Sequence, residues 1–195
     1  MNSRPSSLDR FIPHPDVTER FEISIRAPAR LVMDVASNFD MQSLPLVRTI
    51  FWLREKVMRS GRHAPRRPQG VLEEMQALGW GLLAEQRGRL VVFGARCQPW
   101  RADVTFSALH ADDFAAYAEP GEVKIAWTLE TDEQGPALTR LVQETRAAAT
   151  DETARTSFLR YWRWARFGIV SIRRLLLPAI RRVAEQRWAV EQDRT

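Results

Sequence analysis

Cysteine, lysine and long apolar runs are all scarce in this sequence of 195 residues. The single cysteine, Cys97, cannot form an internal disulfide, so nothing requires an oxidising compartment. The longest mainly apolar runs, 169–172 and 175–180, are interrupted by Arg173, Arg174 and Arg181 and are far too short to span a bilayer. No charged start followed by an apolar run opens the chain, so we expect no secretory signal and a cytoplasmic location.

Lysine is nearly absent, because all but two of the 29 basic residues are arginine, the exceptions being Lys56 and Lys124. This skew is typical of a phosphate-binding surface, since guanidinium groups bind oxyanions in pairs, or of a GC-rich genome. The net charge is +5, and a nucleic-acid binder concentrates its charge more strongly. We therefore expect no nucleic-acid partner.

Motifs for metal, phosphate or nucleophile chemistry are also missing. His14, His63 and His110 each lack a second histidine or a cysteine three or four residues away, so we expect surface histidines rather than zinc ligands. Cys97 likewise has no histidine or cysteine at the spacing of a metal site, so we expect it to be a partly buried thiol. There is no glycine-rich phosphate loop and no serine in a nucleophile elbow. We expect no metal, no cofactor and no catalytic set, which favours a protein that is not an enzyme.

The strongest pattern is a long amphipathic helix near the C-terminus, from about residue 150 to residue 187. At 100° per residue an apolar stripe falls within roughly 40° of one line, and most arginines lie on the opposite side. The stripe consists of Phe158, Trp162, Ala165, Ile169, Ile172, Leu176, Ile180 and Val183. The arginine face consists of Arg155, Arg160, Arg163, Arg166, Arg173, Arg174, Arg181 and Arg182. Thr150 is the predicted N-cap, and a kink is predicted near Arg174–Pro178 because Pro178 cannot donate a helical hydrogen bond.

Alternating and helical patterns place the other elements. Strands are predicted over 21–25, 80–85, 89–97, 123–129 and 138–147, with a hairpin turn at 132–136 and a possible strand fragment at 104–106. Shorter helices are predicted over 28–38, 46–57, 71–78 and 111–116. Residues 1–15 hold three prolines and no periodicity, which predicts a flexible lead-in. The order gives an α+β fold in which a curved antiparallel sheet is closed on one face by the final helix.

Four segments resemble the START-like SRPBCC superfamily, whose helix-grip fold wraps a curved sheet around a C-terminal helix. They are 21–28 (FEISIRAP), 90–101 (LVVFGARCQPWR), 114–127 (FAAYAEPGEVKIAW) and 139–146 (TRLVQETR). The resemblance covers about residues 17–186 and implies one domain over 16–190 with a tail at 191–195. The superfamily includes lipid carriers, hormone receptors, cyclases and oxygenase domains, so fold analogy does not assign a function. The Rieske-type ligands of the oxygenase branch are absent here.

The resemblance implies an apolar ligand held between sheet and helix, and we name candidate lining residues on that basis. The apolar candidates, which a plain core would also explain, are Trp80, Leu82, Phe93, Ile125, Trp127, Phe158 and Trp162. The polar candidates are Arg96, Asp103 and Gln143. Asp103 or Glu144 would suit a general base if buried, although ion pairing with nearby arginines is the favoured role for each.

The sequence is compatible with three functions. The leading hypothesis is non-enzymatic binding or carriage of a hydrophobic, lipid- or polyketide-like small molecule. The second is an aromatase/cyclase-type enzyme in which Asp103 or Arg96 assists. The third is an interaction protein whose arginine face contacts an anionic surface. Trp164 and Phe167 interrupt that face, and a membrane surface, a second copy of the chain or a covering loop would each account for them.

Overall fold

A computed structural model describes residues 5–40 and 70–194. The elements in these ranges are β1 (Val17–Ile25), α1 (Ala29–Ser37), α2 (Val71–Ala77), β2 (Gly81–Gln86), β3 (Leu90–Cys97), α3 (Ala111–Phe114), β4 (Val123–Gly135), β5 (Leu138–Ala149) and α4 (Glu152–Gln192). The helix predicted over 46–57 lies outside the described residues. The predicted fragment at 104–106 forms no strand, and the chain there makes only an isolated bridge between Arg96 and Ser107.

The strands form one curved antiparallel sheet in the order β1-β5-β4-β3-β2, which confirms the predicted α+β class. The alternation of each strand divides the sheet into two faces. The inner face, which α4 covers, carries Phe21, Phe93, Trp127 and Gln143, because Phe93 pairs with Trp127 and Phe21 pairs with Gln143. The opposite, outer face carries Val92, Ala126 and Arg146.

The β4–β5 hairpin is tighter than the sequence suggests. The turn holds only Pro136 and Ala137, so residues 132–135, which were predicted to be a turn, continue strand β4. Asp132 pairs with Arg140 on β5, and an Arg140 guanidinium nitrogen lies 2.6 Å from the Asp132 carboxylate. A cross-strand ion pair of this kind lets a polar residue continue a strand where composition alone suggests a turn.

Residues 5–15 pack against the outer face, so the prediction of a loose lead-in is wrong for this segment. Leu8, Phe11 and Ile12 are fully buried in one apolar cluster with outer-face residues and Phe114 of α3. The Phe11 and Phe114 rings meet edge to face with centroids 6.0 Å apart. The Ile12 amide donates to the Leu8 carbonyl. A single helical turn is too short to give a periodic sequence signal, which explains the error. The predicted boundaries of the domain stay a prediction.

Gly94 on β3 makes this close packing on the outer face possible. A Cβ at Gly94 would lie 2.4 Å from the Leu83 Cδ1 atom and 2.6 Å from the Phe114 Cε2 atom. Contacts that short do not occur between carbon atoms, so a larger residue would displace α3 or the edge strand β2.

Helix α4 runs without interruption for 41 residues, through Pro178 and beyond the predicted end. The predicted kink near Pro178 stays a prediction. The N-cap is Asp151 rather than Thr150, because the Asp151 side chain accepts from the Ala154 amide at 2.8 Å and also from the Gly121 amide. Thr150 instead bonds both backbone groups of Glu122 through its hydroxyl. Within residues 5–40 and 70–194, no helix has the length and apolar character needed to cross a membrane.

Candidate functional site

The apolar stripe of α4 is buried at both ends but not in its middle. Phe158 near the start and Leu176 and Ile180 further on are each 2% exposed. The intervening members Trp162, Ala165, Ile169 and Ile172 are only half-buried. A helix packed evenly on a sheet would bury its central turns most fully, so the middle of this helix has an incomplete partner surface.

The apolar side chains of the inner face are divided in the same way, since they form two separate clusters. The end cluster joins Phe158 of α4 to Val123 and Ala147, with Ile125 and Trp162 packed around it. The main cluster joins Leu176, Leu177 and Ile180 of α4 to residues of the sheet and of α1, including Ile25, Val32, Phe93, Trp127, Leu129 and Leu141. The half-buried middle of α4 therefore lies between two apolar walls.

Polar side chains occupy the inner face close to this gap, and we call Gln143, Thr145 and Arg173 the polar centre. Arg173 reaches from α4 to the sheet, where its Nη2 donates to the Thr145 hydroxyl at 2.6 Å. Its guanidinium carbon lies 5.6 Å from the centre of the Phe21 ring. Gln143 is on the same face, two residues from Thr145, and is 4% exposed.

Two atoms of the polar centre are buried without a hydrogen-bond partner among the described residues. They are the Oε1 atom of Gln143 and the Nη1 atom of Arg173. Arg173 as a whole is half-buried, so its remaining exposure belongs to other atoms of the residue. A buried polar atom without a partner loses the hydrogen bonds it would make to water, which costs about 1–3 kcal/mol. Such atoms mark a place where a bound molecule would supply what is missing.

Burial also changes the electrostatics of Arg173, since it lowers the pKa of the guanidinium to about 10. The negative charge of Glu19 on β1 acts in the opposite direction and raises that pKa. Glu19 pairs with Thr145 across β1 and β5 and so shares the inner face, but it makes no ion pair with Arg173 within 4.0 Å. Arg173 is therefore a cation at neutral pH whose charge is only partly balanced.

Most of the apolar residues named from the sequence lie on the inner face, but they do not form a single group. Phe93 and Trp127 belong to the main cluster with rings 6.3 Å apart, and Trp80 packs against it while its ring lies 5.2 Å from that of Phe106. Phe158 and Trp162 belong to the end cluster, with rings 6.0 Å apart, and Ile125 packs against it. Gln143 lies on the same face.

Leu82, one of the candidate lining residues, faces inward but is exposed rather than buried. It pairs with Phe93 and so shares the inner face, but its side chain is 44% exposed. Strand β2 is the edge of the sheet, so Leu82 has a neighbouring strand on one side only. Alternation predicts the face of a residue but not its distance from the edge.

Arg96 and Asp103 do not join the site. Arg96 lies on the outer face, where its Nη1 is 2.6 Å from a Glu122 carboxylate oxygen and its guanidinium faces the Tyr117 ring at 5.6 Å. Asp103 is exposed in the loop after β3. The sequence contained the signal for Arg96, because residues three apart on one strand point to opposite faces, and Phe93 points inward.

Glu144 is buried in an ion-pair network on the outer face, as the favoured sequence interpretation expected. Its carboxylate oxygens each lie 2.8 Å from a guanidinium nitrogen, one of Arg20 and one of Arg146. Arg146 also pairs with Asp9 at 2.7 Å and donates to the Ile12 carbonyl. These contacts attach residues 5–15 to the sheet and leave Glu144 on the face away from α4.

Sequence reasoning missed Arg173 and Thr145. Arg173 was assigned to the arginine face, yet it lies about 60° from the stripe, at the border between the two faces. A long arginine at such a border can extend its guanidinium either to solvent or across the helix surface toward the sheet. The helical wheel alone does not distinguish the two orientations. Thr145 gave no signal beyond its inward register.

The opposite side of α4 is an exposed aromatic and basic surface. Trp164 and Phe167 are 74% and 67% exposed, and Leu175 is 37% exposed. Five exposed arginines on α4 make no ion pair with any described residue: Arg160, Arg163, Arg166, Arg174 and Arg182. No acidic residue occurs between Glu152 and Glu185. We call Trp164, Phe167 and Leu175, together with these five arginines, the basic aromatic face.

No group of three metal-ligating side chains that could hold a cation lies within the described ranges. His14 and His110 lie in those ranges and are exposed, whereas His63 falls outside them. Cys97 is buried. The chemistry that the inner face offers is therefore apolar contact together with hydrogen bonding and charge at the polar centre.

No protein-family model matches the sequence, and no curated protein matches it. Solved structures do match. A hypothetical protein of Helicobacter pylori is 9% identical over 94% of this chain and 97% of that chain, with a TM-score of 0.41. The protein CalU16 of Micromonospora echinospora is 13% identical over 89% and 86% of the two chains, with a TM-score of 0.30. An aromatase/cyclase of a Streptomyces species is 14% identical over 88% and 94%, with a TM-score of 0.29. Likenesses of this degree assign no function to the chain.

Proposed function

We propose that this chain binds an apolar small molecule between the inner face of the sheet and the middle of α4, without catalysing a reaction on it. The supporting observation is the incomplete burial of the α4 stripe between two apolar clusters. Ligand sites are mostly apolar clefts with a few polar groups that fix orientation, which is the composition of this region. The START-like resemblance of the sequence favours the same location.

Filling the middle of the stripe tests this proposal. Ala165 is half-buried in the stripe, so Ala165→Trp would place a large ring where the ligand is expected. Ser171 is exposed on the other side of the helix, and Ser171→Trp is the matched control. The neutral dye N-phenyl-1-naphthylamine, which fluoresces in apolar surroundings, is the probe. We expect Ala165→Trp to weaken dye binding by at least about tenfold, and Ser171→Trp to leave it unchanged. Equal binding by all three proteins would exclude this location.

The enzymatic alternative loses the residues on which it depended. Arg96 is ion-paired on the outer face, and Asp103 is exposed outside the sheet. Neither residue lies near the polar centre. The charged groups that do lie toward the inner face, Glu19 and Arg173, are not the ones on which that alternative was based, so we propose binding rather than catalysis.

The basic aromatic face supports a second candidate function, contact with an anionic membrane surface. Arginines attract acidic headgroups, while tryptophan and phenylalanine side chains favour the boundary between headgroups and acyl chains. The combination of five unpaired arginines with exposed Trp164, Phe167 and Leu175 fits a membrane better than a nucleic acid, which would need no aliphatic contact. A carrier that exchanges an apolar ligand with a bilayer would use both surfaces.

Co-sedimentation with vesicles tests this second function. We expect binding to vesicles of phosphatidylglycerol and phosphatidylcholine, weak binding to phosphatidylcholine alone, and loss of most binding in the double variant Trp164→Ser/Phe167→Ser. Val190→Ser is the control, because Val190 is exposed on the same helix but outside this face. Equal binding by the double variant, or stronger binding to duplex DNA than to the vesicles, would overturn the membrane assignment.

A further inference from the structure

The polar centre does not resemble a feature that evolved only to hold the fold together. A structural arginine inside a protein normally has its donors paired, because each unpaired donor costs stability. Within residues 5–40 and 70–194, Arg173 has one hydrogen bond, to Thr145, while its Nη1 is enclosed without a partner. Gln143, on the same inner face, also has an enclosed atom without a partner. Two unsatisfied groups of opposite hydrogen-bonding character therefore occur in this region, one on α4 bonded to Thr145 and one two residues from Thr145 on β5.

The surroundings of these groups restrict what would satisfy them. Phe21 packs under the Arg173 guanidinium, and Trp127 pairs with Thr145 across β4 and β5, so the walls are aromatic. The half-buried Ile169 and Ile172 of α4 are near in sequence to Arg173 and lie along the same helix face. A ligand here would have an apolar body and one polar end. A guanidinium donor prefers a carboxylate, sulfonate or phosphate oxygen, since charge-assisted hydrogen bonds are about twice as strong as neutral ones.

We infer that Arg173, positioned by Thr145 and assisted by Gln143, binds the anionic oxygen group of an apolar acid whose body lies along the middle of α4. The free Nη1 of Arg173 donates to an oxygen of the acid, and the Gln143 amide accepts from a hydroxyl or N–H beside it. Glu19 opposes this binding, because its negative charge also faces the inner surface near Arg173. This assignment gives the ligand class for the proposed site and rests on that proposed function.

Two dyes that share one ring system separate this inference from the proposed function. N-phenyl-1-naphthylamine is neutral, and 1-anilinonaphthalene-8-sulfonate carries the same rings with one sulfonate. We expect Arg173→Met to weaken sulfonate-dye binding by at least about tenfold while binding of the neutral dye changes less than about twofold. Arg181→Met is the matched control, because Arg181 is exposed on the same helix and lies outside both the polar centre and the basic aromatic face. It should affect neither dye.

The variant Glu19→Gln provides an independent test, in which the expected change in dye affinity has the opposite sign. Removing this negative charge should tighten binding of the sulfonate dye severalfold and leave the neutral dye unchanged. Unchanged sulfonate binding in Arg173→Met, or equal losses in Arg173→Met and Arg181→Met, would overturn the role of Arg173 and leave the apolar site intact. Failure of the neutral dye to bind the wild-type protein would instead overturn the proposed function itself. Circular dichroism of each variant checks that α4 and the sheet are retained.

Discussion

At the scale of single residues, Arg173 has a cost to the fold as well as a proposed role. Burial lowers the pKa of the guanidinium from its ordinary value to about 10. A base with a lowered pKa in the folded state holds its proton less well there than in the unfolded chain. The charged side chain therefore opposes folding at all pH values below about 10, and this opposition fades as the pH rises from about 10 toward the ordinary pKa of arginine.

Replacement of this arginine by an apolar residue of similar length should thus stabilise the protein. We expect Arg173→Met to raise the free energy of unfolding at pH 7 by about 1 kcal/mol, because the relieved burial cost exceeds the lost hydrogen bond to Thr145. Urea denaturation provides the measurement, with Arg174→Met expected within about 0.5 kcal/mol of wild type. A loss of more than about 1 kcal/mol in Arg173→Met would show that the arginine serves the fold.

Tyr117 gives a residue-scale prediction away from the site. Burial raises its pKa to about 12, and the hydrogen bond from its hydroxyl to Glu122, 2.5 Å long, adds to that rise. An acid with a raised pKa contributes stability that is complete below its ordinary value of 10.0 and is lost as the pH rises through about 12. Ultraviolet titration should therefore show one tyrosine ionising near pH 12, and that step should be absent in Tyr117→Phe. Ionisation of both tyrosines near pH 10 would contradict the Tyr117–Glu122 contact.

At the scale of elements, residues 5–15 act as a cover for the outer face. The sequence could not predict this, because three buried side chains in one turn give no periodicity, and the ion pair of Asp9 with Arg146 joins positions far apart in the chain. The alternating strands, by contrast, were predictable, since half-buried strands repeat every two residues. Local sequence patterns therefore predicted the sheet, whereas the packing of residues 5–15 against it depends on contacts between distant positions, which such patterns do not reveal.

Phe11 is the residue that tests this cover. It is 1% exposed and its ring contacts Phe114. We expect Phe11→Ala to lower the free energy of unfolding by about 3–5 kcal/mol, as a large cavity in a core does. His14→Ala, at an exposed position of the same segment, should change it by less than about 0.5 kcal/mol. A loss below about 1 kcal/mol in Phe11→Ala would mean that this segment does not cover the sheet in solution.

The start of α4 gives a second test at this scale. The Asp151 carboxylate accepts from the backbone amides of Ala154 and Gly121, and these hydrogen bonds lower its pKa below the ordinary 3.8. An acid with a lowered pKa contributes stability that is complete above its ordinary value and is lost as the pH falls through the lowered one. Asp151→Ala should therefore lower the thermal midpoint at pH 7 and less so at low pH. Thr153→Ala, two residues later at an exposed position, is the control, and equal effects of the two would contradict the cap.

At the scale of the whole molecule, α4 separates two surfaces of different character. The side toward the sheet is apolar around the polar centre, and the other side is the basic aromatic face. The sequence predicted both sides from one helical wheel, together with the α+β fold. It did not predict the polar centre, because the orientation of a border arginine depends on what the sheet offers it, here the Thr145 hydroxyl.

The candidate site was predicted in part, and the failures have physical causes. Phe93, Trp127 and Gln143 were placed on the correct face by alternation. Leu82 is exposed because it lies on the edge strand of the sheet. Arg96 faces outward because it is three residues from the inward-facing Phe93 on β3. Asp103 lies in a loop, where no periodicity indicates a direction.

Native mass spectrometry of the purified chain is the most direct test of binding between the inner face and α4. We expect the wild-type protein to carry a co-purified apolar molecule, seen as a mass above that of the chain and lost on activation, and Ser171→Trp to carry the same molecule. Ala165→Trp should appear at the mass of the chain alone, and the released molecule should bear an acidic group. A wild-type protein that neither carries such a molecule nor gains one when incubated with N-phenyl-1-naphthylamine would contradict the account.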